Sequence, residues 1–305
     1  MTENILNSIK EIVAEDRIFT DELMSKHTTF RIGGPCDIFV SVAEMKEAED
    51  LIRLLSMNGI SYFVIGNGSN LLVSDEGYRG VIIEIGKNFS NINIDGDVIT
   101  ADAGALLVRV ANEAYNAGLT GMEFASGIPG TLGGGVFMNA GAYGGELKDI
   151  VKSVVVLNTM TGEIIEKDCA QMNFSYRHSI AKEEPLVILR VIIKLQSGDK
   201  EIIKARMDEL KEQRTTKQPL EFPSAGSTFK RPEGYFAGKL IQDCGLKGYS
   251  VGGAQVSEKH SGFVINTGSA TAADVLTLIK DVQGAVEEKF GVTLEPEVCI
   301  LNEND

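Results

Sequence analysis

The sequence predicts an α+β fold in two parts. Residues 30–196 carry many short strand-like runs with a few helices between them. After Gly198 the character changes to a charged amphipathic helix, a proline-rich polar stretch and a long helix. No internal repeat or low-complexity tract interrupts either part. The reading therefore places residues 1–198 in one region, with a helical N-terminal part over 1–29 and a core over 30–198, and residues 199–305 in a smaller C-terminal α+β domain. A chain of 305 residues is long enough to bury a core in each.

Residues 2–15 set Ile5, Leu6, Ile9, Ile12 and Val13 on one helical face. Residues 43–58 do the same with Met45, Ala48, Leu51, Ile52 and Leu55, and Gly59 closes that helix. YFVIG (62–66), the polar turn NGSN (67–70) and LLVSD read as strand, loop and strand. VIIEI (81–85) is a strand, and INIDGDVITADAG (92–104) is a hairpin turning on Asp95-Gly96. A helix over 105–117 stops at Gly118. Past a glycine-rich loop, SVVVLN, EIIEK and VILRVIIKLQ (187–196) restore strands. Helices follow over 200–214, 237–244 and 272–290, the last opening on the capping box Thr271-Ala-Ala-Asp274. VTLEPEVCIL reads as a closing strand.

Apolar content of 43% and charged content of 24% are ordinary for a globular protein. No apolar run approaches the roughly 18–20 residues that span a bilayer, and the N-terminus has no signal-peptide core, so a cytoplasmic protein without a membrane partner is expected. The net charge of −14 argues against a nucleic-acid surface, and an anionic ligand would need a locally basic site. Cys36, Cys169, Cys244 and Cys299 are far apart and read as buried thiols rather than a metal site. Nothing resembles a dimer helix seam, so a monomer is expected.

Five segments carry chemistry. GNGSN (66–70) lacks the third glycine and following helix of a Rossmann loop, and the chain has no Walker loop. Both an ordinary tight turn and an anion-binding nest of N–H groups fit it. Residues 127–147, GIPGTLGGGVFMNAGAYGGEL, hold eight glycines, with apolar neighbours that a flexible linker would not carry. An ordered loop of bare backbone suits close approach of a flat ligand or a pyrophosphate, and two such loops in one sheet region favour a dinucleotide. FSYRHS (174–179) offers Arg177, the residue type that pairs bidentately with carboxylate or phosphate, while His178 reads as structural. QRTTKQP (213–219) and AGSTFKR (225–231) make a basic cluster of Arg214, Lys217, Lys230 and Arg231 around Ser227, with no Gly-x-Ser-x-Gly elbow for a hydrolase. LEPEV (294–298) puts Glu295 and Glu297 on one side of an extended segment, in an apolar frame that would half-bury a carboxylate.

Taken in order, HTTFRIGGP (27–35), VIGNGSNLLVSD (64–75), ASGIPGTLGGGVFMNAGAYGGEL (125–147), FSYRHS, RTTKQP, AGSTFK, GGAQVSEKHSGFVIN (252–266) and LEPEV resemble the UDP-N-acetylenolpyruvoylglucosamine reductases over nearly the whole chain. The resemblance implies an FAD-binding domain of the vanillyl-alcohol-oxidase type followed by a substrate-binding domain. It implies NADPH-dependent reduction of UDP-N-acetylglucosamine enolpyruvate to UDP-N-acetylmuramate for peptidoglycan, with FAD and NADPH as cofactors and a UDP-sugar as substrate. By matching position, Arg177 would polarise the enolpyruvyl carboxylate, Ser227 would give a proton to C2, and Glu297 would assist as an acid. FAD would be held by Gly66, Asn67, Gly68, Ser69 and Asn70, and by Gly127, Ile128, Pro129, Gly130, Thr131, Gly133, Gly134, Asn139, Gly141 and Ala142, taking the space of the missing side chains. Arg214 would meet a phosphate of FAD or of the substrate, and Tyr176, Lys217, Arg231 and His260 would contact the substrate. Only a strand and a helix fill the interval between Arg177 and Ser227, which matches the subclass without an inserted tyrosine loop. An FAD-dependent alcohol or sugar oxidase of the same fold is the alternative. None of the three histidines, His27, His178 and His260, lies in a glycine-rich loop where a flavin tether would sit.

Overall fold

Hydrophobic alternation becomes strands throughout the computed structural model, which describes residues 3–305. In chain order the first elements are α1 (Glu3–Lys10), β1 (Ile18–Leu23), β2 (Pro35–Ser41), α2 (Met45–Met57), β3 (Tyr62–Ile65), β4 (Leu71–Val73) and β5 (Tyr78–Glu84). Next are β6 (Ile92–Asp95), β7 (Val98–Asp102), α3 (Leu107–Asn116), β8 (Leu119–Thr120), α4 (Leu132–Phe137), β9 (Gly141–Ala142) and β10 (Gly145–Glu146). They are followed by β11 (Val151–Asn158), β12 (Ile164–Asp168), β13 (Leu186–Lys194), β14 (Gln196–Ser197) and α5 (Lys200–Lys217). The last are β15 (Ser224–Ser227), α6 (Ala237–Asp243), β16 (Ser250–Val251), β17 (Ala254–Val256), β18 (Phe263–Asn266), α7 (Ala272–Phe290) and β19 (Cys299–Leu301).

The chain divides into two compact units, and the division departs from the single boundary expected at 198. One unit holds the segment ending at Thr20, Ile38–Asn67 and Gly80–Gln213; the other holds Asp21–Asp37, Gly68–Arg79 and Arg214–Asp305. Packing explains the early segments of the second unit. Phe30, Ile32 and Leu72 share a core with Val275, Leu278 and Val282 of α7, and β4 pairs in parallel with β19 from Cys299↔Leu71 to Leu301↔Val73. Helix α5 begins at Lys200, just past the expected boundary, and runs unbroken to Lys217, so the observed division at Gln213 and Arg214 falls within it.

The first unit carries a four-stranded sheet in the order β1-β2-β5-β3 and a five-stranded antiparallel sheet in the order β12-β11-β13-β7-β6. Strands β3 and β5 are parallel, which requires a crossover, and β5 is buried along most of its length while β3 is only partly buried. The apolar faces of α1 and α2, through Ile5, Ile9, Leu51 and Leu55, enter the same core as Val40, Val81 and Ile83. Each such side chain, once fully buried, contributes about 1.5–3 kcal/mol. The Asp95-Gly96 hairpin forms as expected, with Gly96 at φ +57°. The N-terminal helix is shorter than predicted: it ends at Lys10, and a turn of 3₁₀ helix over Glu15–Arg17 follows. That turn delivers Arg17 to Glu47 of α2 in a two-pronged pair at 2.7 and 2.6 Å. Thr2, within the predicted helix, lies outside the described residues.

Helix α4 replaces what the sequence reads as loop. Thr131 caps it, its Oγ1 accepting from the Gly134 N–H at 3.3 Å. Its glycines are each about 1 kcal/mol worse than alanine in a helix. Two of them are required by packing: a Cβ at Gly133 would meet the Ala103 Cβ at 2.7 Å, and one at Gly135 would meet Leu147 and Leu107 at 2.9 and 3.0 Å.

In the second unit β15-β18-β17-β16 form a sheet backed by α6 and α7. The capping box of α7 is present in full: Thr271 Oγ1 accepts from the Asp274 N–H, Asp274 accepts from the Thr271 N–H, and Gly291 ends the helix at φ +66°. The predicted closing strand is cut to Cys299–Leu301, with an isolated bridge from Pro296 to Phe229 before it. Cys36 is buried as expected, but Cys169 and Cys244 are only partly covered and Cys299 is exposed, because its strand lies at an edge.

Candidate active site

In the first unit the two glycine-bearing loops meet. Strand β3 runs into Gly66, whose missing side chain is required by Thr131: a Cβ there would lie 2.1 Å from Thr131 Oγ1. One residue on, Asn67 donates from Nδ2 to the Pro129 carbonyl at 2.5 Å. Beside this junction is a mainly apolar cavity of about 320 Å³, bounded by Gly66, Thr131, Gly133, Gly134, Phe137 and strand residues of β3 and β13. That is the lower range of small-molecule sites.

The glycines have two different causes. Gly133 and Gly135 are bare because of neighbouring side chains, Gly141 because of the Gly145 carbonyl at 2.7 Å, and Gly145 because of the Phe124 ring. In the second unit Gly68 is bare because the His27 carbonyl lies 2.0 Å from where its Cβ would sit. Gly134 is different: it is exposed on the cavity wall, with only Thr131 Oγ1 near its added Cβ, at 3.3 Å. The expectation that a ligand accounts for all the missing side chains is thus corrected to a protein-packing cause for most of them. Gly134 remains as bare backbone open to a ligand.

Asn139, expected at the cofactor, has its side-chain amide bonded within the protein. It is 1% exposed, its Nδ2 donates to Glu146 Oε2 at 2.7 Å and to the Ser175 carbonyl at 3.0 Å, and its Oδ1 accepts from the Lys148 N–H at 3.0 Å. It braces the protein itself. Gly141 and Ala142 lie in β9, paired with β10.

Arg177 sits on a two-residue hairpin closed by Ser175 and His178, which exchange both backbone bonds at 3.2 Å. Its φ is +55°. The guanidinium lies 5.2 Å from the centroid of the exposed Tyr176 ring. His178, read as structural, meets the Asn173 carbonyl through Nδ1 at 3.2 Å and Glu183 through Nε2 at 2.8 Å.

In the second unit Ser227 and Glu297 are brought together by the backbone. Ser227 follows an irregularity in the β15–β18 pairing, where Gly226 takes φ +78°. The next residue, Thr228, is buried; its carbonyl accepts from the Glu297 N–H at 2.8 Å and its Oγ1 from the Val264 N–H at 2.9 Å. Asn70, expected on the cofactor, donates from Nδ2 to the Glu297 carbonyl at 3.0 Å, so its side chain holds the glutamate segment. Of the LEPEV pair, Glu297 is half-buried, while Glu295 is exposed and pairs with Lys230 at 3.0 Å. Arg214 and Lys217 lie on the last turn of α5. Arg231 covers the exposed Phe236 ring at 4.0 Å. Burial, and then the positive charge of Lys247, push His260 below the ordinary histidine range; its Nδ1 accepts from the Gly262 N–H at 3.1 Å. Thr228 and the brace by Asn70 were not read from sequence, because neither carries a motif.

Residues 36–168 match the family described as FAD binding domain, and residues 218–301 match the one described as UDP-N-acetylenolpyruvoylglucosamine reductase, C-terminal domain. The chain is 52% identical over 303 residues to the UDP-N-acetylenolpyruvoylglucosamine reductase of Caldanaerobacter subterraneus, covering 99% of this chain and 100% of that one. The chain belongs to the UDP-N-acetylenolpyruvoylglucosamine reductase family. The reductase of Clostridioides difficile is 50% identical, with 99% of each chain covered. The crystal structure of the Thermus caldophilus reductase superposes with a TM-score of 0.80 at 36% identity, over 92% of this chain and 97% of that one. Alkyldihydroxyacetonephosphate synthase shares the fold alone, at 14% identity and a TM-score of 0.51 over 65% of this chain and 41% of that one. This reductase-family chain is therefore an oxidoreductase with an FAD-binding domain. The cavity at Gly134 fits such a group, since bare backbone and apolar walls accept a flat ring system.

Proposed function

We propose that this chain reduces the enol ether of UDP-N-acetylglucosamine enolpyruvate to UDP-N-acetylmuramate with NADPH, a step in making peptidoglycan precursors. The observation that carries the reading is full-length identity of about half to reductases of that name, on a chain that carries Arg177, Ser227 and Glu297. FAD, when bound, supplies hydride transfer from NADPH to C3 of the substrate. Gly66, Thr131 and Gly134 would hold it along the cavity wall, and Arg214 would meet a phosphate of FAD or of the substrate.

Arg177 binds the enolpyruvyl carboxylate with its planar fork and stabilises the negative charge that develops there as C3 gains a hydride. Ser227 delivers a proton to C2. A serine hydroxyl is a weak acid, so it needs a partner, and the Thr228 link to Glu297 supplies a candidate within the same cluster. Tyr176, Lys217, Arg231 and His260 contact the substrate, and the charges of Lys217 and Arg231 offset the repulsion of its diphosphate by a chain of net charge −14.

The test is anaerobic and reads flavin absorbance. NADPH should bleach the flavin, and UDP-N-acetylglucosamine enolpyruvate should restore its colour. Bleaching without recovery would assign another acceptor. Reduction by a sugar alcohol, with oxygen uptake, would support an oxidase instead.

A further inference from the structure

Arg177 occupies a backbone conformation that does not hold itself. At φ +55° it lies in the left-handed region, which is unfavourable by about 1–2 kcal/mol for a residue with a Cβ. It stands at the second central position of a two-residue hairpin, where glycine or asparagine is the usual occupant. Strain of this kind persists only where the surroundings over-determine it.

Among the bonds that hold this hairpin, beside those of His178, two lie one on each side of it. Before it, the Ser175 carbonyl accepts from Asn139 Nδ2 at 3.0 Å; after it, Ser179 Oγ donates to the Phe137 carbonyl at 2.7 Å. Ser179 is 0% and Asn139 1% exposed, so the donor of each bond is shielded from water. Asn139 is itself fixed by Glu146 and the Lys148 N–H. Phe137 ends α4, the helix that presents Gly133, Gly134 and Phe137 to the cavity. The hairpin is thus tied at both ends to the segment that forms the cavity wall.

We propose that Ser179 and Asn139 are positioning residues: together they clamp the Arg177 hairpin to the end of α4 and so fix the guanidinium for the substrate carboxylate. The inference rests on the assignment of Arg177 to that carboxylate. Neither clamp residue touches the reacting atoms. Their effect comes through geometry, where a displacement of about 1 Å is worth about 10²-fold in rate.

The experiment is a double-mutant cycle on the holoenzyme with Ser179→Ala, Arg177→Ala and the pair, reading each half-reaction, the melting temperature and the amide exchange rate of His178. Ser179→Ala should keep FAD content and NADPH-driven reduction, slow substrate-driven reoxidation about 10- to 100-fold, and speed His178 exchange. In the Arg177→Ala background it should cause no further loss, because the group it positions is gone. Ser179→Thr, which keeps the hydroxyl, should restore most of the rate. Losses that multiply in the double variant would overturn the clamp and leave Ser179 a packing residue. So would wild-type reoxidation by Ser179→Ala beside a severe Arg177→Ala. If Ser179→Ala fails to fold, Asn139→Ser enters the same cycle with the same criteria. Wild-type reoxidation by Arg177→Ala would instead remove the assignment on which the clamp rests.

Discussion

Ser227 and Glu297 are 70 positions apart in sequence, yet backbone hydrogen bonds join their segments, from the Glu297 N–H to the Thr228 carbonyl and from the Lys230 N–H to the Glu295 carbonyl. The shared cluster predicts a split phenotype. Ser227→Ala should leave NADPH-driven flavin reduction near normal and slow reoxidation by at least about 10²-fold, the usual range for loss of a positioned proton donor. Stopped-flow traces of the two half-reactions check this, and equal damage to both would remove Ser227 from the proton step. His260 gives a second prediction at this scale. Its folded pKa is depressed, so the unfolded chain binds a proton near pH 6.5 that the folded chain refuses. The sign follows: stability from this group is whole above about pH 6.5 and is lost as pH falls below it. His260→Gln cannot titrate, so the wild type should lose stability relative to the variant between about pH 7.5 and 5.5. A difference independent of pH in urea melts would clear His260. The candidate catalytic residues were named from sequence because their motifs match those of a known family, not because of their residue types alone. Thr228, Ser179 and the bracing roles of Asn70 and Asn139 were not, because they act through backbone partners that no local pattern reveals.

Elements were legible in proportion to their periodicity. Helices α2, α3, α6 and α7 lie within a few residues of their predicted spans, because apolar spacing, a glycine stop or a capping box marks them. Helix α4 was not legible, since three successive glycines argue against a helix, and the side chains that require Gly133 and Gly135 come from Ala103, Leu107 and Leu147. The closing strand was overestimated for the opposite reason: its alternation continues through Leu294–Val298, but its ladder partner β4 meets only Cys299–Leu301. The irregularity in β15 is the element-scale feature closest to chemistry. Such bulges re-aim side chains, and this one lies directly before Ser227. An added Cβ at Gly226 would meet nothing within 4 Å, so the penalty for Gly226→Ala is backbone strain alone, about 1–2 kcal/mol at φ +78°. Denaturant midpoints should fall accordingly, and reoxidation by substrate should slow more than that loss of stability explains. Unchanged reoxidation would mean that the bulge does not set Ser227.

At the scale of the whole chain, sequence suggested one boundary, whereas the compact units interleave through segments 21–37 and 68–79. Composition is blind to this because the pieces join through Phe30, Ile32 and Leu72, ordinary core residues by type. The cavity walls all come from the first unit. A ligand that binds only the folded state stabilises it by RT ln(1 + [L]/Kd), about 2.7 kcal/mol at a hundredfold excess over Kd. That gain reaches only those openings that destroy the site. Added FAD should therefore slow amide exchange most in residues 62–66, 131–137 and 185–188, and less in α7, whose core lies in the other unit. Equal slowing in α7 would mean that the chain opens as one cooperative body despite its two cores. No slowing around Gly134 would remove the cavity as the FAD site, and with it the reading of the glycine-rich helix as a cofactor wall.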